Sequence, residues 1–154
     1  MQEITGKFDA SGKKFAVVCS RFNNFIAERL IEGAVDCLTR HGCRDNDITL
    51  IRVPGCFEIT PAARRAAESA KYDGIIGLGA LIRGATPHFD YVAKSVTNGL
   101  SDIAAQAKAA VSFGIITADT IEQAVERAGT KSGNKGFDAA LAAIEMADLF
   151  SQLA

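Results

Sequence analysis

The sequence lacks any marked excess of charge, any long apolar run and any extended linker. Its 154 residues include 17 basic and 18 acidic side chains, which leaves a formal net charge of −1 at pH 7. Because these charges are interspersed, we expect no broad electrostatic footprint for nucleic acid or for an anionic membrane. Contacts to phosphate groups would have to be local. The length and the absence of low-complexity tracts predict one domain over residues 1–154.

Neither a leader peptide nor a membrane segment is evident, and cysteines are few. The chain opens without a basic and apolar leader, and its apolar runs fall well short of the roughly 20 residues that a membrane helix needs. The four cysteines, Cys19, Cys37, Cys43 and Cys56, have the spacing of neither a zinc motif nor a disulfide framework. We therefore expect a soluble cytoplasmic protein with reduced thiols and no metal site.

Apolar segments alternate with segments of helical periodicity. Residues 14–19 are typical of a buried strand, and residues 25–40 follow with apolar side chains at helical spacing. The order recurs as strand 48–53 with helix 61–69, strand 74–82 with helix 88–109, and strand 111–117 with helix 121–128. A last helix is predicted over about residues 136–153. This pattern indicates a four-stranded parallel sheet between helices, an α/β three-layer sandwich of flavodoxin-like topology.

Several residues are typical of helix ends. Thr120 and Gln123 have the spacing of a capping box at the start of the fourth helix, and Gly129 is placed to end that helix. His41 ends the first helix just before a glycine, where a cation complements the carbonyl end, so we expect it to be structural. Residues 129–136 resemble a P-loop only superficially, because a helix and not a strand precedes them, and they predict a tight turn.

Ligands of an open parallel sheet bind outside the carboxyl ends of its strands. The junctions that qualify are residues 20–24, residues 53–58, residues 83–88, and the end of the fourth strand after Phe113 and Gly114. Phe22 is a large aromatic in a polar loop, where it either stacks on a flat ligand or plugs the core. Gly55 exposes backbone groups that, with Glu58, can bond a polyol or heterocycle; alternatively the pair is a turn glycine and an acid that favours the helix dipole.

The third junction suits an anion and a proton shuttle. Gly84 lets a ligand approach the backbone, and the N–H groups at the start of the following helix favour a phosphate. The imidazole of His88 beside them can give or take a proton near neutral pH. The alternative is an ordinary turn with Thr86 as N-cap and Pro87 as first helical residue, in which His88 merely faces water.

Two cations beyond the fourth strand bear on assembly. Arg127 lies seven positions after Thr120 on a helix that runs back along the sheet, which places it roughly 10 Å from the strand ends. It therefore does not easily reach its own His88. If Arg127 or Lys135 binds the same ligand, it comes from a neighbouring subunit and the site straddles an interface. Alternatively, both are solvated surface cations.

Several long motifs occur in the order found in one known family. They are residues 21–23, 53–59, 79–91, 112–114, 120–136 and 144–147, with Gly-Lys-Phe near the start. Together they cover nearly the whole chain and are far more specific than a lone glycine pattern. The chain resembles the 6,7-dimethyl-8-ribityllumazine synthase family. The resemblance implies condensation of 5-amino-6-ribitylaminouracil with 3,4-dihydroxy-2-butanone 4-phosphate in riboflavin biosynthesis, without metal or organic cofactor.

The resemblance also implies a set of site residues. Within one subunit, Phe22 stacks on the pyrimidine, residues 55–58 hold the ribityl chain, and His88 handles protons. Ala85 with Thr86 meets the phosphate. The full substrate-binding set so implied is Phe22, Asn23, Gly55, Cys56, Phe57, Glu58, Ala80, Leu81, Ile82, Ala85, Thr86, Phe113, Arg127 and Lys135.

Members of the family assemble as pentamers, and many stack these into hollow icosahedral shells. The resemblance implies that an adjacent subunit contributes Phe113 to close the pocket, Arg127 to grip the phosphate and Lys135 near the pyrimidine. The compact segment 129–136 favours a shell, which could enclose riboflavin synthase. Residues 1–13 would then pair with the sheet of a neighbour.

The sequence departs from the family pattern at the start of the second helix, where Thr60 intervenes before Pro61, and it lacks the proline often found before the fourth strand. A flavodoxin-like electron-transfer module is a competing interpretation, but the bulky, charged residues 20–23 do not suit a flavin phosphate. A structural or flavin-binding shell without catalysis is another; the retained His88 and Arg127 weigh against it.

Overall fold

The computed structural model of the chain describes residues 1–130 and 133–154. Its elements are β1 (Phe15–Ser20), α1 (Asn24–Arg40), β2 (Ile48–Val53), α2 (Ile59–Glu68), β3 (Gly74–Ile82), α3 (His88–Gln106), β4 (Ala110–Ala118), α4 (Ile121–Arg127), β5 (Ala128–Thr130), β6 (Gly133–Asn134) and α5 (Lys135–Leu153). The predicted order of four strand-and-helix pairs followed by a last helix is confirmed.

The central sheet is parallel, with the strand order β2-β1-β3-β4. Phe15 of β1 pairs with Ile48 of β2 on one side and with Gly74 of β3 on the other, while β3 pairs with β4 along its whole length. The carboxyl ends of the four strands therefore meet at one edge of the sheet. The predicted four-stranded parallel sheet and the three-layer α/β sandwich of flavodoxin-like topology are confirmed.

Apolar side chains cover both faces of the sheet, and every residue of β1 is buried. Each large apolar side chain that is fully buried contributes roughly 1.5–3 kcal/mol to folding. One cluster lies between the sheet and α1 with α5, and the other between the sheet and α2 with α3. The first includes Phe15, Val17, Leu30 and Ile144, and the second includes Val18, Ile59, Leu100 and Ile103. Both layers are therefore needed to cover the sheet.

The second helix begins two residues earlier than predicted. α2 starts at Ile59, so Pro61 is its third residue. N–H groups in the first turn of a helix have no acceptor within the helix, so a proline there costs no hydrogen bond. Thr60 packs against Gly99 of α3, where an added Cβ would lie 2.3 Å from the threonine hydroxyl oxygen. The residue that separates the proline from Ile59 is therefore part of the contact between α2 and α3.

The third helix ends at Gln106, and the prediction that it continues to residue 109 is wrong. Ala107 has extended backbone angles, φ −74° and ψ 148°, while its N–H donates to the carbonyl of Ile103. Ala110 already belongs to β4 and donates its N–H to the carbonyl of Asp73 at 2.9 Å. Residues 107–109 therefore connect the two elements, although their composition does not break a helix.

The prediction succeeds at the start of the fourth helix and falls short after its end. The hydroxyl of Thr120 accepts the N–H of Gln123 at 3.2 Å, which confirms the N-cap, while the Gln123 side chain accepts from Asp119. α4 ends at Arg127, and Gly129 adopts a φ of 127°. The predicted tight turn contains an antiparallel hairpin of β5 and β6, which the sequence analysis missed; residues 131–132 lie outside the described residues.

Asn134 joins the hairpin to both neighbouring helices. Its side-chain oxygen accepts the N–H of Phe137 at 3.0 Å and so caps α5. Its amide nitrogen donates to the carbonyl of Arg29 at 2.9 Å and to that of Ala128 at 3.0 Å. An added Cβ at Gly33 of α1 would lie 2.2 Å from the asparagine oxygen, so α1 needs a glycine there.

The amino-terminal segment lies against its own chain. The N–H of Lys7 donates to the Asp148 carboxylate of α5, and the N–H of Ala10 donates to the carbonyl of His41, each at 2.8 Å. Nδ1 of His41 lies 2.6 Å from the carbonyl oxygen of Cys37 at the end of α1, which confirms a structural role for this histidine. Pairing of the segment with a neighbouring subunit stays a prediction.

No helix within residues 1–130 and 133–154 is long and apolar enough to cross a bilayer.

Candidate functional site

A cavity of about 320 Å³ lies at the edge where the parallel strands end. It brings together three of the four junctions that the sequence singled out, those after β1, β2 and β3. The lining residues are Phe22, Asn23, Gly55, Cys56, Phe57, Glu58, Leu81, Ile82, Gly84, Thr86, His88, Phe89 and Val92. The volume is within the range typical of sites for small ligands.

The loop after β1 presents an aromatic ring on a rigid backbone. Asn23 has left-handed backbone angles, φ 56° and ψ 53°, which asparagine tolerates better than most residues. Its side-chain amide donates to the carbonyl of Ala80 in β3 at 3.0 Å, and the N–H of Phe22 donates to the hydroxyl of Ser20. Phe22 remains 66% exposed, so it does not plug the core, and its ring is free to stack on a flat ligand.

The turn after β2 carries an exposed ring and a carboxylate. Cys56, Phe57 and Glu58 form one turn of 3-10 helix, closed by a bond from the N–H of Glu58 to the carbonyl of Gly55. Phe57 is 61% exposed, whereas Cys56 is buried. The Cys56 sulfur packs so closely on Gly79 of β3 that a Cβ added to this glycine would lie only 2.7 Å from it. Burial raises the pKa of the Cys56 thiol to about 11, so this sulfur stays protonated and serves packing, not nucleophilic attack.

The loop after β3 leads directly into the amino end of α3. Pro87 is the N-cap of this helix and makes no side-chain capping bond, so the placement of the N-cap at Thr86 is wrong. His88 is the first helical residue, it is exposed, and it lines the cavity beside Thr86. Within the described residues no side-chain bond caps the positive end of α3, which favours an anion at this place.

The remaining positions predicted on β3 and its loop are placed differently from one another. Leu81 and Ile82, at the carboxyl end of β3, line the cavity. Ala80 is fully buried and takes part through its carbonyl group, which accepts the Asn23 amide. Ala85 is exposed in the loop between Gly84 and Thr86 but does not line the cavity. A phosphate contact of Ala85 therefore stays a prediction.

Three of the predicted residues do not line the cavity of their own chain. Phe113 lies within β4, as the predicted strand 111–117 implies; it pairs with Gly77 in mid-strand and is 45% exposed. Arg127 is the last residue of α4, and Lys135 is the first residue of α5; both are exposed. One chain alone therefore places none of the three in the lining of the cavity, and their contribution to an adjacent subunit's site stays a prediction.

Sequence reasoning missed three residues at this edge. Phe89 and Val92 line the cavity. The apolar stripe of α3 continues past the core to the start of the helix, and this continuation could have identified them. Arg83 follows β3 directly, within the motif of residues 79–91. Its guanidinium contacts Asp119 at 2.9 Å and Asp90 at 3.2 Å, with Cζ 4.5 Å from the centre of the Phe89 ring.

A larger cavity, of about 650 Å³, lies at the opposite end of the sheet. It is lined by residues that precede β3 and β4 and by parts of α2, α3 and α5, among them Arg64, Glu68, Tyr72, Asp73, Gln106, Lys108 and Phe150. None of the predicted site residues lies there. Among the residues that the structure describes, no group of three or more histidine, cysteine or acidic side chains is arranged to hold a metal ion.

Comparison with known proteins gives one consistent result. The family described as 6,7-dimethyl-8-ribityllumazine synthase matches residues 12–151. Proteins with that name from Chlorobaculum tepidum and Aquifex aeolicus are each 56% identical to the chain over 153 residues, and each alignment covers 99% of both proteins. The protein of that name from Nitratidesulfovibrio vulgaris is 54% identical over 153 residues, or 99% of this chain and 98% of the relative. With 99% of its length matched in this way, the chain belongs to the 6,7-dimethyl-8-ribityllumazine synthase family.

Proposed function

We propose that the protein is a transferase that condenses 5-amino-6-ribitylaminouracil with 3,4-dihydroxy-2-butanone 4-phosphate to 6,7-dimethyl-8-ribityllumazine, the penultimate step of riboflavin biosynthesis. The observation that carries the proposal is the cavity at the strand ends, where exposed aromatic rings, a backbone turn and the amino end of α3 with His88 converge. Family membership supports the same reaction.

The reaction asks little of the protein beyond placement and proton transfer. The amine of the uracil attacks the ketone, and an imine forms with loss of water. Phosphate then leaves, and the ribitylamino nitrogen closes the ring with loss of a second water. The substrate amine is itself the nucleophile and phosphate is a good leaving group. The protein therefore needs to orient two substrates, move protons and neutralise charge.

Each part of the cavity suits one part of the substrates. The exposed ring of Phe22 stacks on the pyrimidine, and the turn from Gly55 to Glu58 offers backbone groups and a carboxylate to the ribityl hydroxyls. Thr86 and the uncapped start of α3 bind the phosphate. The exposed imidazole of His88 then lies beside both reacting groups and moves the protons.

The site is completed by a second subunit. Phe113, Arg127 and Lys135 are exposed and do not line the cavity of their own chain, which supports their use at the cavity of a neighbour. The assembly is a pentamer of a cytoplasmic protein, and the short hairpin of β5 and β6 favours stacking of pentamers into an icosahedral shell that encloses riboflavin synthase. Light scattering of the purified protein measures this mass directly, and a monomer in solution would contradict the shared site.

The test of the reaction is to incubate the purified protein with both substrates and to follow the fluorescence of the lumazine. Formation of lumazine well above the spontaneous rate, with release of phosphate, is expected. The competing interpretation, a flavin-binding or structural shell without catalysis, predicts assembly and flavin binding but no acceleration. That outcome would overturn the proposed function.

A further inference from the structure

We propose that Arg83 is a positioning residue, whose guanidinium holds the first turn of α3, and with it His88, against the end of β4. The inference rests on the proposed function, because it assigns the residue to the same site. Arg83 does not line the cavity. It acts through residues that do.

The backbone of Arg83 is fixed by the sheet. Its N–H donates to the carbonyl of Ala118 at 2.9 Å, which extends the pairing of β3 with β4 by one residue. The side chain therefore starts from a rigid position. The residues that follow, 84–87, are exposed, and an added Cβ at Gly84 would contact nothing within 4 Å. The loop has little packing of its own to hold it.

The guanidinium joins two carboxylates from different elements. Its Nε donates to Asp119 at 2.9 Å, and one terminal nitrogen donates to both oxygens of Asp90 at 3.2 and 3.4 Å. Asp119 is itself held, because its N–H donates to the side chain of Gln123 in α4. Asp90 belongs to the first turn of α3, two residues after His88. Arg83 therefore connects that turn to the fixed start of α4.

The same group also packs on an aromatic ring that lines the cavity. Cζ of Arg83 lies 4.5 Å from the centre of the Phe89 ring, a distance at which a cation is attracted to the ring face. Phe89 is the residue next to His88 and lines the cavity with it. Since Pro87 provides no side-chain cap, these contacts of Arg83 stabilise the helix start from outside.

The geometry predicts a small effect on overall stability and a larger effect on catalysis. The ion pairs are about half exposed, and such pairs contribute little to folding. A shift of about 1 Å in a catalytic group can nevertheless cost up to roughly a hundredfold in rate. Lysine does not replace the planar fork that spans both carboxylates. Arg83→Lys and Arg83→Gln should therefore both lower kcat.

A double-mutant cycle tests whether Arg83 acts through His88. We expect Arg83→Gln to lower kcat severalfold in the parent protein and less than twofold in a His88→Ala background, because coupled residues give non-additive effects. The matched control is Arg64→Gln. Arg64 of α2 forms an ion pair with Asp102 of α3 at 2.8 Å, and the exposure of this pair is similar to that of the pair between Arg83 and Asp90. The Arg64→Gln variant should leave kcat unchanged. Full additivity, or an equal loss in the control, would overturn the proposal.

A second readout does not depend on turnover. The chain has two histidines, so the imidazole resonances of His88 can be followed by NMR with His41 as internal reference. Arg83→Gln should shift the His88 signals and leave those of His41 in place, whereas Arg64→Gln should move neither. An unmoved His88 would refute positioning even if the parent protein makes lumazine. Absence of lumazine from the parent protein would instead refute the proposed function. If Arg83→Gln fails to fold, Asp119→Asn tests the same contact.

Discussion

The two ends of the sheet each carry a cavity, and the smaller one is lined by the predicted site residues. The cavity at the amino ends has about twice the volume, 650 against 320 Å³, but its charged residues include both signs and one of them, Arg64, is already paired with Asp102. The cavity at the carboxyl ends combines exposed rings, an uncapped helix start and a histidine. The direction of the strands, and not the volume, therefore favours the smaller cavity as the candidate site.

The same contrast appears in the backbone. Of the described residues other than glycine, two have a positive φ: Asn23 at 56° and Ala70 at 57°. Asn23 lines the cavity at the carboxyl ends and bonds through its amide to Ala80, whereas Ala70 lines the other cavity at the end of α2 and has a methyl side chain that makes no hydrogen bond. The left-handed backbone at Asn23 therefore supports a hydrogen bond beside the candidate site, whereas at Ala70 it serves only to end a helix.

The largest expected effect comes from a residue that would complete the carboxyl-end cavity of a neighbour. We expect Arg127→Ala to lower kcat/KM by about a hundredfold, because it removes a charge-assisted phosphate contact. Arg64→Ala, at the amino-end cavity, serves as the matched control and should stay within about twofold, as surface substitutions away from a site usually do. Steady-state kinetics with varied butanone phosphate measure both. Equal losses would show that the two ends do not differ in function.

A smaller loss is expected for the proton shuttle. His88→Ala should lower kcat by about tenfold, below the roughly hundredfold to ten-thousandfold usual for general acid and base catalysis, because the substrates already supply a nucleophile and a good leaving group. Single-turnover fluorescence separates this step from binding. The control is His41→Gln, which changes the histidine at the end of α1 and should leave the rate unchanged. A greater loss for His88→Ala than for Arg127→Ala would contradict the ranking.

The smallest effects concern the two left-handed residues. Ala70→Gly should stabilise the protein by about 1 kcal/mol, because glycine adopts this conformation without the steric cost of a Cβ. Asn23→Gly keeps the backbone permissive but loses the amide bond to Ala80, so we expect it to destabilise the protein by about 1 kcal/mol. Denaturant unfolding measures both changes. Stabilisation by both substitutions would mean that the Asn23 amide contributes nothing.

The sequence predicted the features that depend on local composition. The bounds of β2 and β3 follow from apolar runs, and the Thr120 cap follows from residue type and spacing. The end of α3 did not follow, because Ala107 leaves the helix in order to align β4 with β3, which is a long-range requirement. The contacts of Arg83 could not be predicted either, because they too depend on how the chain folds. Their carboxylates lie 7 and 36 positions away along the chain.

Family resemblance supplied the roles that spacing alone did not. The alternatives for Phe22 were equal until its exposure excluded a place in the core. The role of Phe113 at an adjacent subunit's pocket likewise came from the resemblance alone. Phe113 itself lies in mid-strand on the outer strand β4.

The contact between Gly33 and Asn134 constrains how these two positions can evolve, although they lie about a hundred residues apart along the chain. A larger side chain at position 33 has no room while the asparagine bonds to α1, and loss of the asparagine removes its bonds to the carbonyls of Arg29 and Ala128. Neither position can drift alone at low cost. As lineages of this protein diverge, we expect the pair to be inherited together or exchanged together.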